Sequence, residues 1–324
     1  MCNGDGDCSR GEKRIADRRL IESGLVDLFA EGQLAVLAVQ QIRRMRGGAQ
    51  GHLMLGDDGN AYVVKFQNNP QHLRVLVNEL MATKLAAAIG LNVPPCDVVE
   101  VTPWLVENTS ELDLDLGPRR ERCKPGLSFG SRLVGGLMPG HVMDYLPEEQ
   151  LVEVRNLEEF GGVLAFDKWT CNTNGRQAVF SRKKRERKYT ATFIDYGYCF
   201  NAGVWDFKDA PLRGVYARNL VYWGVTGWAN FEPWLGRIEA LDSAKIWGIA
   251  ETVPPEWYEG ELEAIESLVE HLIRRQARVR ELIDSFRESS RLPFPNWGKG
   301  KEIPPTRPWR ELQWVDDGKH GRVM

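Results

Sequence analysis

The 324-residue sequence has no long apolar run and no excess of charge of one sign. No stretch approaches the roughly 18 apolar residues that mark a membrane-spanning helix. The net charge of −3 and the pI near 6.1 argue against a general nucleic-acid-binding surface. Residues 1–19 mix both signs of charge and lack the apolar core of a signal peptide, so we expect a cytoplasmic protein.

Metal-binding and disulfide patterns are also missing. The six cysteines contain no CxxC pair, and the five histidines show no HxxxH spacing. Structural zinc sites use such closely spaced pairs, and disulfide frameworks occur in small secreted chains with dense cysteine. We therefore expect free thiols and no protein-held zinc.

What the sequence does contain is enough apolar residues, 43% of the chain, to bury a large core in one α/β domain or in two packed lobes. Asp57-Asp58-Gly59-Asn60 predicts a hairpin turn, because these residues tolerate positive φ. Helical spacing of apolar residues and a stop at Gly90 predict a helix over residues 71–89. In the first 130 residues the patterns predict strands near 34–39, 52–55, 61–66, 98–101, 104–106 and 127–129, with a loop over 107–125.

The second half of the chain is mainly helical in pattern. We expect a helix over residues 147–166, a hairpin over 177–194 and one long helix over 259–286. Pro, Gly and Trp dominate the tail after Leu292, where we expect extended chain.

Two short motifs in the middle of the chain carry chemical information. Asp167 is followed five positions later by Asn172, and an apolar strand then runs into Asp195-Tyr196-Gly197. Phosphoryl transfer from ATP uses these groups in this order: one carboxylate for the proton of the acceptor, one amide oxygen for a metal and a second carboxylate for the metals on the triphosphate. Each motif alone is more often an ordinary turn.

Three upstream features occur in the order that the same chemistry requires. Lys65 ends a predicted strand, where its ammonium group can reach the α- and β-phosphates. Glu79 lies in the next helix and can hold that lysine as an ion pair. One hairpin earlier, a turn could cover the phosphates with backbone N–H groups, and it contains Gly47, Gly48, Gln50 and Gly51.

With these elements in order, the chain resembles the HipA-type branch of the protein-kinase-like superfamily and is similar in outline to the phosphoinositide 3/4-kinases. The resemblance runs over residues 43–209 and includes the phrase Val77-Asn78-Glu79-Leu80-Met81-Ala82-Thr83-Lys84-Leu85-Ala86, followed by Gly90-Leu91-Asn92-Val93-Pro94. It implies an α+β, two-lobed kinase-like fold: a small antiparallel β-rich lobe with one helix over 26–130 and a larger helical lobe over 131–290. Residues 1–25 would be a flexible leader and 291–324 an extended tail.

The resemblance also implies roles for individual residues. Asp167 aligns with the catalytic aspartate, and Asn172 and Asp195 align with the metal ligands. ATP and Mg²⁺ are the implied cofactors, with Lys65 on the phosphates and backbone groups from Phe129 to Arg132 on the adenine. The γ-phosphate would pass to a hydroxyl acceptor, with Ser or Thr of a protein, or of the chain itself, preferred to a lipid.

The sequence departs from the family pattern in three places. Asp167-Lys168-Trp169 replaces the usual Asp-Arg-His, which leaves open whether Lys168 contacts the γ-phosphate. The turn at 47–51 is not GxGxxG, so side chains such as Gln50 or His52 could assist on the phosphates. Tyr196 stands where Phe is commoner.

Other interpretations stay open. The same scaffold could bind nucleotide without catalysis, transfer a nucleotidyl group, or phosphorylate a lipid or small molecule. Gly126-Leu127-Ser128-Phe129-Gly130 fits the GxSxG of hydrolases, but the charged residues before it argue against the buried strand that this motif needs. The basic turn over residues 182–188 is either a solvated hairpin tip or a landing site for an acidic partner.

Overall fold

A closed five-stranded sheet forms the first half of the computed structural model, which describes residues 35–137 and 141–299. Its strands pair in the order β1-β2-β3-β7-β4, and a parallel pairing of β1 with β4 closes the barrel. The lobe expected to be antiparallel thus contains one parallel strand pair, β1 with β4. The strands are β1 (Val36–Arg44), β2 (His52–Gly56), β3 (Ala61–Lys65), β4 (Cys96–Val101) and β7 (Gly126–Arg132).

The predicted hairpin is confirmed in β2 and β3. Gly56 N–H donates to the carbonyl of Asn60, and Gly59 adopts a φ of +77° in the turn. A residue with a side chain would be strained there, because only glycine adopts this region without cost. The turn fixes the register in which Lys65 ends β3, directly beside Phe129 of β7.

Helix α1 (Val75–Ala88) follows β3 and ends before Gly90, whose φ is +81°. The predicted helix and its stop signal are thus confirmed, with a start four residues later than expected. Nearly every residue of α1 is buried, and its apolar side chains share one core with those of α3 (Glu159–Trp169). Helix α1 therefore packs against both the sheet and the helical half and connects the two parts.

Two expectations for the segment after β4 are wrong. Residues 104–106 belong to helix α2 (Pro103–Asn108) and not to a strand. Thr102 caps this helix by accepting from the N–H of Leu105, and proline at the first position favours a helix start. The expected loop over 107–125 contains the strand pair β5 (Asp113–Asp115) and β6 (Arg120–Arg122).

A second sheet lies between the barrel and the C-terminal helices. It has the order β10-β9-β8, with β8 at His141–Met143, β9 at Gln177–Arg182 and β10 at Thr190–Ile194. The hairpin expected over 177–194 is confirmed by the antiparallel pairing of β9 with β10. The helix expected over 147–166 is instead a short 3₁₀ segment at Glu148–Glu153 and then α3, which continues to Trp169.

The C-terminal part is helical, with the elements α4 (Trp234–Glu239), α5 (Ser243–Ala250), α6 (Leu262–Gln276) and α7 (Val279–Arg287). The single long helix expected over 259–286 is wrong, because the chain breaks at Arg278. The N–H of Arg278 bonds to the carbonyl of Arg275, three residues back, and its guanidinium binds Asp209 and Glu281. Residues 277 and 278 therefore form a turn between α6 and α7.

The expected leader and most of the expected tail extend beyond the described residues. The leader over 1–25 and the tail from residue 300 onward lie outside the described residues. Residues 291–299 follow α7 and bury Phe294 against Phe231 and Trp297. The boundary expected at residue 130 lies inside β7. Within the described part of the chain, no helix is long and apolar enough to cross a membrane.

Candidate active site

A cavity of about 620 Å³ opens between the closed sheet and the second sheet. The turn after β1, the end of β3 and strand β7 line one side of this cleft, and β9 and β10 line the other. Its volume is in the range typical of small-molecule sites in proteins. The predicted residues that line it are Gly47, Gly48, Gln50, Gly51, Lys65, Glu79, Phe129, Arg132 and Asp195.

The ammonium group of Lys65 lies between two carboxylates in this cleft. It donates to Oε1 of Glu79 and, at 2.9 Å, to Oδ1 of Asp195. Burial would lower the pKa of Lys65, but the two carboxylates outweigh burial and raise the pKa. Burial would likewise raise the pKa of Asp195, whereas Lys65 lowers it. The structure therefore brings the predicted lysine, glutamate and second aspartate together, and the pKa shifts of Lys65 and Asp195 favour their charged forms.

Glu79 also fixes the backbone that carries Asp195. Its carboxylate accepts from the N–H groups of Tyr196, at 3.1 Å, and Gly197, at 2.8 Å. A Cβ atom on Gly197 would lie 2.7 Å from Val75 and 3.1 Å from Glu79, so the close approach requires glycine. Asp195 itself adopts a φ of +62°, a left-handed conformation that is unusual for a residue with a side chain and is found often at functional sites.

The glycine turn lines the cleft, but the side chains of Gln50 and His52 are already hydrogen-bonded to β5. The side-chain amide of Gln50 exchanges hydrogen bonds with the backbone of Asp115, at 2.7 and 2.6 Å. His52 is buried, and its Nε2 lies 3.2 Å from the carbonyl of Asp113. Strand β5 therefore binds both side chains that were expected to contact the phosphates. Only the backbone of the turn stays available for that contact.

Phe129 and Arg132, the residues expected near the adenine, lie on β7 and line the cleft. The side chain of Phe129 is buried, and the guanidinium of Arg132 lies 3.8 Å from Asp58 and above the ring of Tyr62. The N–H of Arg132 donates to the carbonyl of Pro95. This backbone donor is therefore already used.

Asp167 and Asn172 do not line the cleft. Asp167 sits near the end of α3, 1% exposed, where Arg176 donates to both of its carboxylate oxygens. The amide of Asn172 donates to Asp167 at 3.0 Å, and its oxygen accepts from the N–H of Asn174. The structure thus pairs Asp167 with Asn172, and Arg176 links Asp167 to the backbone of Asp195.

Lys168 also lies apart from the cleft. Its ammonium group donates to the carbonyls of Pro211, at 2.7 Å, and Arg213, at 2.6 Å, and lies over the ring of Phe286. Burial lowers the pKa of Lys168 to about 8. In this position Lys168 stabilises the loop at residues 211–213.

Sequence reasoning missed Arg176 and Gln177, which join the two clusters. Arg176 donates to the carbonyls of Ile194, at 2.8 Å, and Asp195, at 3.3 Å, while its guanidinium binds Asp167. The amide of Gln177 donates to Oδ2 of Asp195 at 2.6 Å. The predicted hairpin contained the signal for both, because pairing residue 177 with 194 places them beside Asp195.

The comparisons with known proteins agree with this architecture. A family model for HipA-like kinase matches residues 38–201. The structure of CtkA, a proinflammatory kinase of Helicobacter pylori, is similar with a TM-score of 0.50 and 14% identity over 79% of this chain and 100% of CtkA. At that identity the likeness supports the kinase-like fold alone.

Two further structures are more distant. The Golgi casein kinase, solved with Mn and ADP, gives a TM-score of 0.48 and 13% identity over 84% of this chain and 77% of its own. HipA from the Shewanella oneidensis toxin–antitoxin complex with HipB and operator DNA gives 0.39 and 13% over 84% and 73%. No curated protein matches the sequence significantly. The family model covers half of the chain and includes the barrel apart from the first two residues of β1, together with α1, α3, Lys65 and Asp195, so the chain belongs to the HipA-like kinase family.

Proposed function

We propose that this chain is an ATP-dependent phosphotransferase that moves the γ-phosphate to a hydroxyl group, with Ser or Thr of a protein, or of the chain itself, as acceptor. The observation that carries the proposal is the Lys65 ammonium, held between Glu79 and Asp195 at the wall of a 620 Å³ cleft. One ammonium group faces two carboxylates there, and buried charge that is not balanced within the protein is costly unless a ligand compensates it.

In this proposal Lys65 binds the α- and β-phosphates, and Glu79 keeps its ammonium group in place. The backbone of the turn at 47–51 covers the phosphates from the barrel side, because the side chains of Gln50 and His52 are hydrogen-bonded to β5. Asp195 fits a divalent cation, because its carboxylate reaches the cavity and carries a lowered pKa. When bound, Mg²⁺ would neutralise phosphate charge. The residues themselves act mainly by positioning and electrostatics.

We also propose that the barrel with α1 and the helical part act as two lobes on either side of the nucleotide, near the limits 26–130 and 131–290. Closure of one part over the other would exclude water from the phosphates. The leader, the tail and a cytoplasmic location stay predictions from the sequence.

The catalytic role predicted for Asp167 carries a structural condition. Its carboxylate would have to leave Arg176 and turn toward the acceptor, because both oxygens are occupied in the structure. Among the described residues that line the polar recess beside Asp195, Asp195 is the sole carboxylate. This observation favours a second candidate function, a kinase-like scaffold that binds nucleotide without transfer.

Incubation with ATP labelled at the γ- or α-phosphate separates these functions. Label from the γ-phosphate on the chain or on an added protein supports the proposal, provided that Asp195→Ala abolishes it. Loss of ATP without protein labelling points to a lipid or small-molecule acceptor, and label from the α-phosphate points to nucleotidyl transfer. Nucleotide-dependent stabilisation without any transfer supports the scaffold. If the chain showed no nucleotide binding and no transfer, both candidate functions would be contradicted.

A further inference from the structure

The surroundings of Asp195 differ on its two sides. Lys65 binds Oδ1, and Gln177 binds Oδ2 at 2.6 Å. Gln177 and Asp195 line both the 620 Å³ cleft and an adjoining recess of about 490 Å³, whose other walls include Gly48 and Asn174. A group that binds Oδ2 of Asp195 from this recess would therefore also meet the amide of Gln177.

Side chains alternate between the two faces of the sheet where the chain enters β9. This alternation explains why Gln177, and not the preceding Arg176, faces the cavity. Successive side chains of a strand point to opposite faces. Arg176 is buried behind the sheet on Asp167, whereas Gln177 is exposed on the cavity side. The main-chain pairing of Gln177 with Ile194 sets the distance to Asp195.

Asn172, the residue expected to bind the metal, has no comparable freedom. It is buried, its amide nitrogen donates to Asp167, and its oxygen accepts from the N–H of Asn174 at 3.0 Å. Moving that oxygen to a cation would break the turn that leads into β9. The amide of Gln177 offers the same oxygen donor and needs only to rotate, because the amide nitrogen and oxygen exchange places in a half-turn.

We infer that Gln177, and not Asn172, is the amide side chain that completes a divalent-cation site with Asp195. Amide and carboxylate oxygens suit Mg²⁺ and Mn²⁺. Asp167, Asn172 and Arg176 then act as positioning residues, since Arg176 links the buried carboxylate to the backbone carbonyls of Ile194 and Asp195. This inference rests on the proposed function, because the cation would be the one that accompanies the nucleotide.

The test measures ADP binding by calorimetry, with and without MnCl₂, in the full chain. We expect Gln177→Ala to weaken the Mn²⁺-dependent part of ADP affinity at least about tenfold, the scale on which loss of a partner weakens a metal site. Binding of ADP without Mn²⁺ and the melting temperature of the free protein should stay near wild type, because Gln177 is exposed.

Gln177→Glu distinguishes a metal ligand from a hydrogen-bond donor. Glutamate keeps an oxygen ligand but cannot donate to Asp195, so it should restore Mn²⁺-dependent binding if Gln177 is a ligand. If Gln177→Glu binds as weakly as Gln177→Ala, or if Gln177→Ala keeps the full Mn²⁺ effect, the inference is wrong while the proposed function stands. A wild-type chain that does not bind ADP contradicts the proposed function, and the inference with it.

Discussion

Asp195 and Asp167 are each bound by one cation and one amide side chain, yet they have different surroundings. Asp195 contacts Lys65 and Gln177, and its side chain is 17% exposed to a cavity. Asp167 contacts Arg176 and Asn172, and its side chain is fully buried. The first carboxylate can exchange a partner for a ligand, whereas the second has all its partners inside the protein.

The positively charged side chains of Lys65 and Arg176 explain this difference. A lysine ammonium is a compact charge that can be shared among several anions, so Lys65 can bind Glu79, Asp195 and a phosphate. The guanidinium of Arg176 is a rigid fork, and its nitrogen atoms are divided between Asp167 and two backbone carbonyls. Burial would lower the pKa of Arg176, but Asp167 raises it, so the guanidinium stays charged. One centre is suited to binding, the other to holding β9, β10 and α3 together.

The largest expected effect on stability follows the removal of Asp167, the buried partner of Arg176. Asp167→Ala leaves the Arg176 charge uncompensated and should lower the free energy of unfolding by about 3–5 kcal/mol. Urea unfolding measures this loss. The double variant Asp167→Ala/Arg176→Met should lose less than Asp167→Ala alone, because it removes the stranded charge. Wild-type stability in Asp167→Ala would show that the pair is not a structural link.

Lys65→Met should differ from Asp167→Ala in its pH dependence. Without the ammonium group, Glu79 and Asp195 repel each other and the pKa of one carboxyl rises above its unfolded value. The folded variant then binds more protons than the unfolded chain, so its stability falls with rising pH and recovers toward about pH 5, by at most about 1.4 kcal/mol per pH unit. The loss of stability in Asp167→Ala, relative to the wild type, should stay constant over the same pH range, because Arg176 remains charged.

This contrast is checked by urea unfolding of both variants and the wild type between about pH 5 and pH 8. Parallel pH profiles for the two variants would contradict the distinction between the centres. A deficit of Lys65→Met that grows on acidification would contradict it as well.

Gly197→Ala should have an intermediate effect. The added methyl group meets Val75 and the carboxylate of Glu79, and overpacking of this kind costs about 1–3 kcal/mol. Gly248 in α5 is the matched control, because a Cβ there meets open space and alanine favours a helix. Thermal unfolding should therefore rank Gly248→Ala above wild type and Gly197→Ala below it. The opposite order would show that Glu79 does not require the close approach.

The smallest expected effect concerns Lys168, whose pKa burial lowers to about 8. The unfolded lysine titrates near 10.4, so between these values the unfolded chain binds more protons and the stability of the wild type rises with pH. The slope is at most about 1.4 kcal/mol per pH unit. Lys168→Met should lack this rise when unfolding is compared at about pH 7.5 and pH 9.5. An equal rise in both proteins would show that Lys168 does not titrate there.

Local signals predicted the elements that position Lys65 and Glu79. The Asp57–Asn60 turn and the Gly90 stop act within a few residues, so the sequence alone defines β2, β3 and α1. Residues 104–106 were misassigned because a short apolar run suits either a strand or a helix. The decisive signal was the Thr102 cap with proline after it.

The candidate site was predictable in part for the same reason. The Lys65–Glu79 pair follows from one strand and the next helix, and Asp195 follows from the end of a predicted strand. The spacing of Asp167 and Asn172 could not reveal Arg176, because burial and bidentate pairing depend on how α3 packs behind β9. Motif spacing identified the two carboxylates but not which of them is exposed to the cleft.

The most direct test of the Lys65–Asp195 centre is calorimetric titration of the wild-type chain and Asp195→Ala with ADP, each with and without MnCl₂. We predict that Mn²⁺ tightens ADP binding in the wild type and has no effect in Asp195→Ala, while weak metal-independent binding through Lys65 persists in both. Equal Mn²⁺-dependent binding in the two proteins, or none in the wild type, would contradict the account.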